Sequence, residues 1–371
     1  MSIYEKALVL VPLLAAPACG PTEVLVGDAP GVARVVAGIP GVLHRPGFPD
    51  TVVTGRPARE NPIGSPAGLA ALPDGSFYFA DRIRRRIGYV TADGLLFWPV
   101  GRGLCGALGP GSDEARDLCL ADPSGLALEP AGTLLIADAG ASVVYRYLPE
   151  SGAIERVFGT GSPGLAPDGA SAPAAQTGVP ADVAVGPDGS IYVAEVLNSR
   201  VVRIDPSGTV SAFAGNGVVG DSGDGGAAVA AQLARPEGLA WMGDTLYIAD
   251  SGNNRIRRVV GETIEAYAGV GGAGFAGDGS RVGLALFRRP GRMVAVGSLL
   301  LIADRDNFRI RVIRVGPDSI ATFGGTGRAT VGLDLQDIGQ TPIAGPAGIT
   351  FAGRAIFVAD SGGYVVRRIV R

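Results

Sequence analysis

Apolar positions in this chain fall into short runs, separated by turns rich in Gly, Asp and Asn, and the arrangement recurs along its length. It is clearest in residues 236–268. Residues 238–241 form an apolar run and Gly243-Asp244 a turn. Residues 245–249 form a second run that closes on Asp250, a polar turn follows to Asn254, and residues 255–259 and 264–268 supply two more runs. Runs of four to six residues bounded by turn residues are strand signals. Asp74-Gly75, Asp188-Gly189 and Ser207-Gly208 supply positive φ at other turns.

Two landmarks fix the period. The acids that close the second run are Asp81, Asp138, Glu195, Asp250, Asp304 and Asp360, separated by 57, 57, 55, 54 and 56 residues. Pro66, Pro123, Pro180, Pro236, Pro290 and Pro346 open each copy, 14 or 15 residues ahead of its acid. Such a period is too long for a helical solenoid unit, and four strand signals per period define a propeller blade. The expected fold is all-β: a six-bladed β-propeller of four-stranded antiparallel blades.

The fourth-strand signal, an apolar stretch ending in Gly-x-Gly, follows each of the first five blades, while a sixth copy, ARVVAG at residues 33–38, stands ahead of the first. The last blade stops after its third strand. The offset predicts that the N-terminal strand pairs beside residues 365–370 and closes the ring, which removes two exposed sheet edges. Between the Gly and the next Pro lie 21 or 22 residues in five cases and 28 in the first. Three residues before the Pro stands an apolar side chain, Ile63, Leu120, Leu233, Phe287 or Ile343, expected to plug a seam between blades; Thr177 is the exception.

Composition agrees with many short strands: 59 Gly, 27 Pro and 47% apolar residues. The repeat runs from residue 32 to 371 without a linker, so these residues form one domain. Net charge is −3, and Lys6 is the only Lys. The calculated pI of 5.4 and the absence of a basic cluster beyond Arg82 to Arg86 argue against a nucleic-acid partner. The arginines are assigned to composition bias and strand-edge pairing.

Residues 1–19 read as a targeting segment: Lys6, an apolar stretch over 7–18, then Cys19. Ala16-Pro17-Ala18 is an A-x-A cleavage signal, while Ala18-Cys19-Gly20 resembles a bacterial lipobox with Ala16 in place of the usual Leu. The lipoprotein reading, with Cys19 lipidated and residues 20–31 as a tether, is preferred over simple secretion; membrane contact is then only through the lipid anchor. Cys105 and Cys119 remain as a pair within one inter-blade loop, expected to form a disulfide in an oxidising compartment. Two unconnected buried thiols are the alternative.

At Gly223-Asp224-Gly225-Gly226, Leu233, Pro236-Glu237-Gly238 and the run Tyr247-Ile248-Ala249-Asp250-Ser251-Gly252-Asn253-Asn254-Arg255-Ile256, the chain resembles the NHL-repeat family. The resemblance covers all six periods and is weakest in the first, where Arg82 to Arg86 replaces the Asn-containing turn. It implies a six-bladed propeller with a central channel. It implies little chemistry, because family members include scaffolds, extracellular sensor domains, RNA-binding platforms and a few lyases.

The acid row is read as structural, each acid accepting bonds from its own turn, with Asn254 and Arg255 stitching that turn to its neighbours. The loops at Asp168-Gly169, Asp224-Gly225 and Asp278-Gly279 read as turn chemistry, with calcium or ligand contact as the other reading. Asp182, Glu237 and Arg292 break the repeat near the start of the inner strands, where Ala67, Ser124 and Ala347 are bland. They are the candidate ligand-binding residues at the channel mouth; solvated or mutually paired charges are the alternative. His44 is the only His, which argues against a zinc-dependent lyase or a Ser-His-Asp triad. The resulting functional reading is a non-enzymatic, exported, monomeric binding module with a protein, peptide or glycan partner. The alternative is a calcium-dependent, lactonase-like hydrolase or lyase using Asp182 and Glu237.

Overall fold

The computed structural model describes residues 31–42, 54–105, 114–332 and 336–370. Cys19 and His44 lie outside the described residues. The six blades are Pro66–Val100, Pro123–Phe158, Pro180–Ala214, Pro236–Ala268, Pro290–Gly324 and the C-terminal blade that opens at Pro346. Each is an antiparallel sheet, and the first five run in sequence order from their inner to their outer strand. The inner strand of the last blade packs on that of the first, as it does between every pair of neighbours, so the blades form a ring.

Closure occurs where the offset predicts. The strand Val32–Ala37 pairs antiparallel with Val365–Val370, Ala33 opposite Ile369 and Val35 opposite Arg367. Gln336–Asp337 then pairs with the outside of Val32–Ala37, covering the edge that the closing strand would leave open.

Second strands are buried along all or nearly all of their length, as in Ile191–Glu195 and Ala355–Asp360, because both faces lie against neighbouring blades. Outer strands such as Ala153–Phe158 expose part of one face. The Gly-x-Gly signal has a specific cause. Gly38, Gly101, Gly159, Gly215, Gly269 and Gly325 have φ between 86° and 96°. Each N–H donates to the carbonyl of a small or branched residue in the following loop: Ala58, Ala115, Ala172, Ala228, Val282 or Ile338. A side chain on Gly38 or Gly159 would meet the backbone of the adjacent turn.

The plug residues Ile63, Leu120, Leu233, Phe287 and Ile343 have no exposed area, and neither does Thr177. Thr177 differs because its hydroxyl donates to Glu195 at 2.6 Å. The two departures from the repeat, Thr for an apolar plug and Glu for Asp, are therefore one substitution spread over two positions. Cys105 and Cys119 form a disulfide with Cα atoms 5.9 Å apart.

One expectation is corrected. Arg257, Arg311 and Arg367 are fully buried and not at strand edges. Each stands seven residues after the acid of blades 4, 5 or 6, where the first three blades carry Gly88, Tyr145 and Val202. Arg257 lies 3.4 Å from Asp250 and 2.7 Å from Asp224; Arg311 lies 3.4 Å from Asp304 and 2.9 Å from Asp278. Arg367 lies 3.6 Å from Asp360. Burying a guanidinium is tolerable only against such counter-charges.

Candidate functional site

Each inner strand starts, and each second strand ends, at the same end of its blade, because the opening Pro pairs with the closing acid. The turns after the acids and the loops between blades meet there. Asn198, Asn253 and Asn307, each three residues after its acid, donate to the carbonyls of Gly164, Gly220 and Gly274, at 2.8, 2.7 and 2.6 Å. These bonds fix the loops against the turns. The acids anchor the same loops, as when Asp250 accepts the Ala234 N–H at 2.7 Å and Asp304 the Arg288 N–H at 2.9 Å. The acid row thus caps loop ends sixteen or so residues upstream as well as its own turns. Asn254 reaches the next blade by accepting the Arg289 N–H at 3.0 Å.

The Asp-Gly loops face protein groups. Asp224 and Asp278 are the outer counter-charges of Arg257 and Arg311, and Asp168 accepts the Ala212 N–H at 2.7 Å.

At the axis, the third residue of the inner strand is Gly68, Gly125, Gly238 and Gly348 in four blades. Neighbouring inner strands approach so closely here that a Cβ on Gly68 would collide with the Ser124 carbonyl, and one on Gly348 with that of Ala67. Blades 3 and 5 place Asp182 and Arg292 in this slot. The Arg292 Nε lies 3.3 Å from Asp182 Oδ1, its Nη2 donates to Ala181 O at 2.7 Å and its Nη1 to Ala347 O at 3.1 Å. Asp182 Oδ2 accepts the Leu239 N–H at 3.0 Å. One ion pair thereby ties blades 3, 4, 5 and 6 together across the axis. Burial raises the Asp182 carboxyl above its usual range although Arg292 opposes it. Burial likewise lowers the Arg292 guanidinium, with Arg305 and Arg82 adding to the effect against Asp182. A guanidinium remains charged regardless, so the pair is ionic at neutral pH.

Glu237 does not join this pair. It is held by Arg305 at 2.7 Å, Arg235 at 3.4 Å and Arg289 at 3.6 Å. Burial alone would raise its carboxyl, but Arg305, Arg289 and Arg235 outweigh burial and hold it below the ordinary range. Arg289 also lies 3.7 Å from Asp306, and Arg82 binds Asp122 through Nε at 2.6 Å. Arg235, Arg288 and Arg289, with Ser251, Asn254 and Asp306, line a groove of about 370 Å³ between blades 4 and 5.

Of these arginines, only Arg82 belongs to the basic cluster noted in the sequence. The signal was available in two columns of the repeat. Arg235 and Arg289 immediately precede the Pro, and Arg82 and Arg305 immediately follow the acid, where other blades carry Val179, Gly345, Ala139 or Ser361.

The geometry does not suit calcium. Asp182 and Glu237 are turned to different guanidinium groups, and among the described residues no three Asp, Glu, His or Cys side chains converge. The same end of the propeller displays apolar side chains. Leu165, Leu197, Val218, Val219, Val270 and Phe275 are all exposed, in the loops or turns just described.

No family model matches the chain, and no curated protein is similar to it in sequence. Its fold is matched by solved structures. An auxiliary nutrient binding protein from Bacteroides ovatus aligns at a TM-score of 0.63 and 16% identity, over 91% of this chain and 76% of that one. A Bacteroides thetaiotaomicron protein of unknown function aligns at 0.65 and 14%, over 91% and 75%. A gluconolactonase from Xanthomonas campestris aligns at 0.55 and 14%, over 83% and 86%. At these identities the likeness is one of fold: all share the propeller with this chain.

Proposed function

We propose that this chain is a non-enzymatic binding module of the NHL-repeat type, which presents the turn-and-loop end of its propeller to a protein, peptide or glycan partner. It acts as an exported monomer, held at the membrane by a lipid on Cys19. The observation that carries the reading is the division of labour at that end. The charges on the axis, Asp182 and Arg292, are spent on each other and on backbone, while the surrounding rim exposes apolar side chains and arginines. Exposed apolar groups gathered on one surface mark interaction sites. Fold alone does not assign chemistry. The propeller shared with nutrient-binding proteins is compatible with this role; the one shared with a lactonase supplies the competing reading.

Calorimetry with calcium, together with a hydrolysis assay on gluconolactone, separates the two. The expected result is neither stoichiometric calcium uptake nor turnover. Tight, one-to-one calcium binding that is lost in both Asp182→Ala and Glu237→Ala would replace the binding module with the calcium-dependent hydrolase.

A further inference from the structure

We propose that the arginine-lined groove between blades 4 and 5 binds an anionic small molecule of about sugar size, through a carboxylate or phosphate group. This deepens the binding-module reading and rests on it.

Charge is the first argument. Arg235, Arg288 and Arg289 face a groove that contains one carboxylate, Asp306, with Glu237 and Arg305 beside it. Four guanidinium groups thus stand against two carboxylates, in a chain whose net charge is −3. A local excess opposite in sign to the whole molecule concentrates anions there.

Donor geometry is the second. Only the Arg305 to Glu237 contact, at 2.7 Å, has the length of a strong charged hydrogen bond. Arg235 and Arg289 reach Glu237 at 3.4 and 3.6 Å, and Arg289 reaches Asp306 at 3.7 Å, beyond good hydrogen-bond range. Both side chains are about half exposed. Each guanidinium carries five donors in a planar fork that matches a carboxylate or phosphate. Those of Arg235 and Arg289 are largely uncommitted.

Backbone placement is the third. Arg235 and Arg289 both have φ of 51°, in the left-handed region, directly before a Pro. Val179, directly before Pro180, shares it at φ 56°, so the conformation is a backbone feature of this column, in which blades 4 and 5 place an arginine. The groove volume, about 370 Å³, lies at the low end for small-molecule sites and suits a monosaccharide acid or a sugar phosphate.

The test is calorimetry of the full chain at low ionic strength with glucuronate, glucose 6-phosphate, inorganic phosphate and neutral glucose. Glucuronate, glucose 6-phosphate or both are expected to bind one to one, while glucose does not. Which of the two binds more tightly identifies the anionic group. Arg235→Ala and Arg289→Ala should each weaken binding at least tenfold. Glu237→Gln, which removes the internal competitor, should strengthen it severalfold. Arg258→Ala, which disrupts a pair with Glu265 on an outer strand, should change nothing. Circular dichroism of every variant guards against misfolding, and Arg289→Lys serves if Arg289→Ala fails to fold. Absence of binding by all three anions overturns the proposal, as does binding that Arg235→Ala and Arg289→Ala leave unchanged. Neither result touches the binding-module reading, which falls only with calcium uptake or lactone turnover.

Discussion

At the scale of single residues, the departures from the repeat carry the most information, because a feature common to all blades has a structural role in all of them. Thr177 and Glu195 show how two departures compensate. A Glu one methylene longer than Asp reaches both the Thr177 hydroxyl and the Gly178 N–H, at 2.6 and 3.0 Å, within a fully buried site. Thr177→Val should therefore cost about 1–3 kcal/mol, the penalty of removing a hydrogen-bonding partner from a buried carboxylate. Glu195→Asp should also destabilise, and the combined variant Thr177→Val with Glu195→Asp, which restores an apolar plug and the Asp of the other blades, should be more stable than the two losses summed. Urea unfolding of the four proteins measures this coupling. Strict additivity would mean that the two positions are independent.

At the scale of strands and turns, the sequence was highly legible. Apolar runs, Pro and acid landmarks and Gly-x-Gly signals identified the strands, since each reflects backbone geometry that only a few residue types satisfy. What escaped was side-chain direction. Arg257, Arg311 and Arg367 sit in strands that carry two or three arginines each, and the spacing alone does not tell which of them faces a buried acid in the strand beside it. At the mouth the repeat singled out Asp182, Glu237 and Arg292, with mutual pairing as one reading, but Asp182 and Arg292 lie 110 residues apart and no local pattern tells that they meet while Glu237 stays out of the pair.

The buried acids of these strands also predict a pH response. Burial pushes the Asp250 and Asp304 carboxyls up to about 6, against their bonds to backbone N–H, to Asn253 or Asn307 and to the adjacent arginine. The folded chain therefore keeps these protons to a higher pH than the unfolded chain does. The stability they contribute is complete below about pH 4 and is lost as pH rises through 6, on the order of 2–3 kcal/mol per site. Denaturation midpoints between pH 4 and 7 check the sign. The stability of the natural chain relative to Asp304→Asn should fall across that interval, and a difference that is flat or rises would refute it.

At the scale of the whole molecule, everything depends on a strand of six residues. Without Val32–Ala37, the strand Val365–Val370 would expose an unpaired edge, and the final blade would have three strands. A chain beginning at Gly38 should aggregate or elute as large assemblies in gel filtration, and a stable monomer would show that the ring tolerates an open seam. The same six residues also impose a schedule. The pairing of Ala33 with Ile369 joins residues near opposite ends of the chain, so a ribosome has almost finished its work before the last blade receives its fourth strand. Contacts so distant in sequence form slowly. Earlier blades must wait as an open horseshoe, its first and last edges unpaired, until the C-terminal strand exists to receive the N-terminal one.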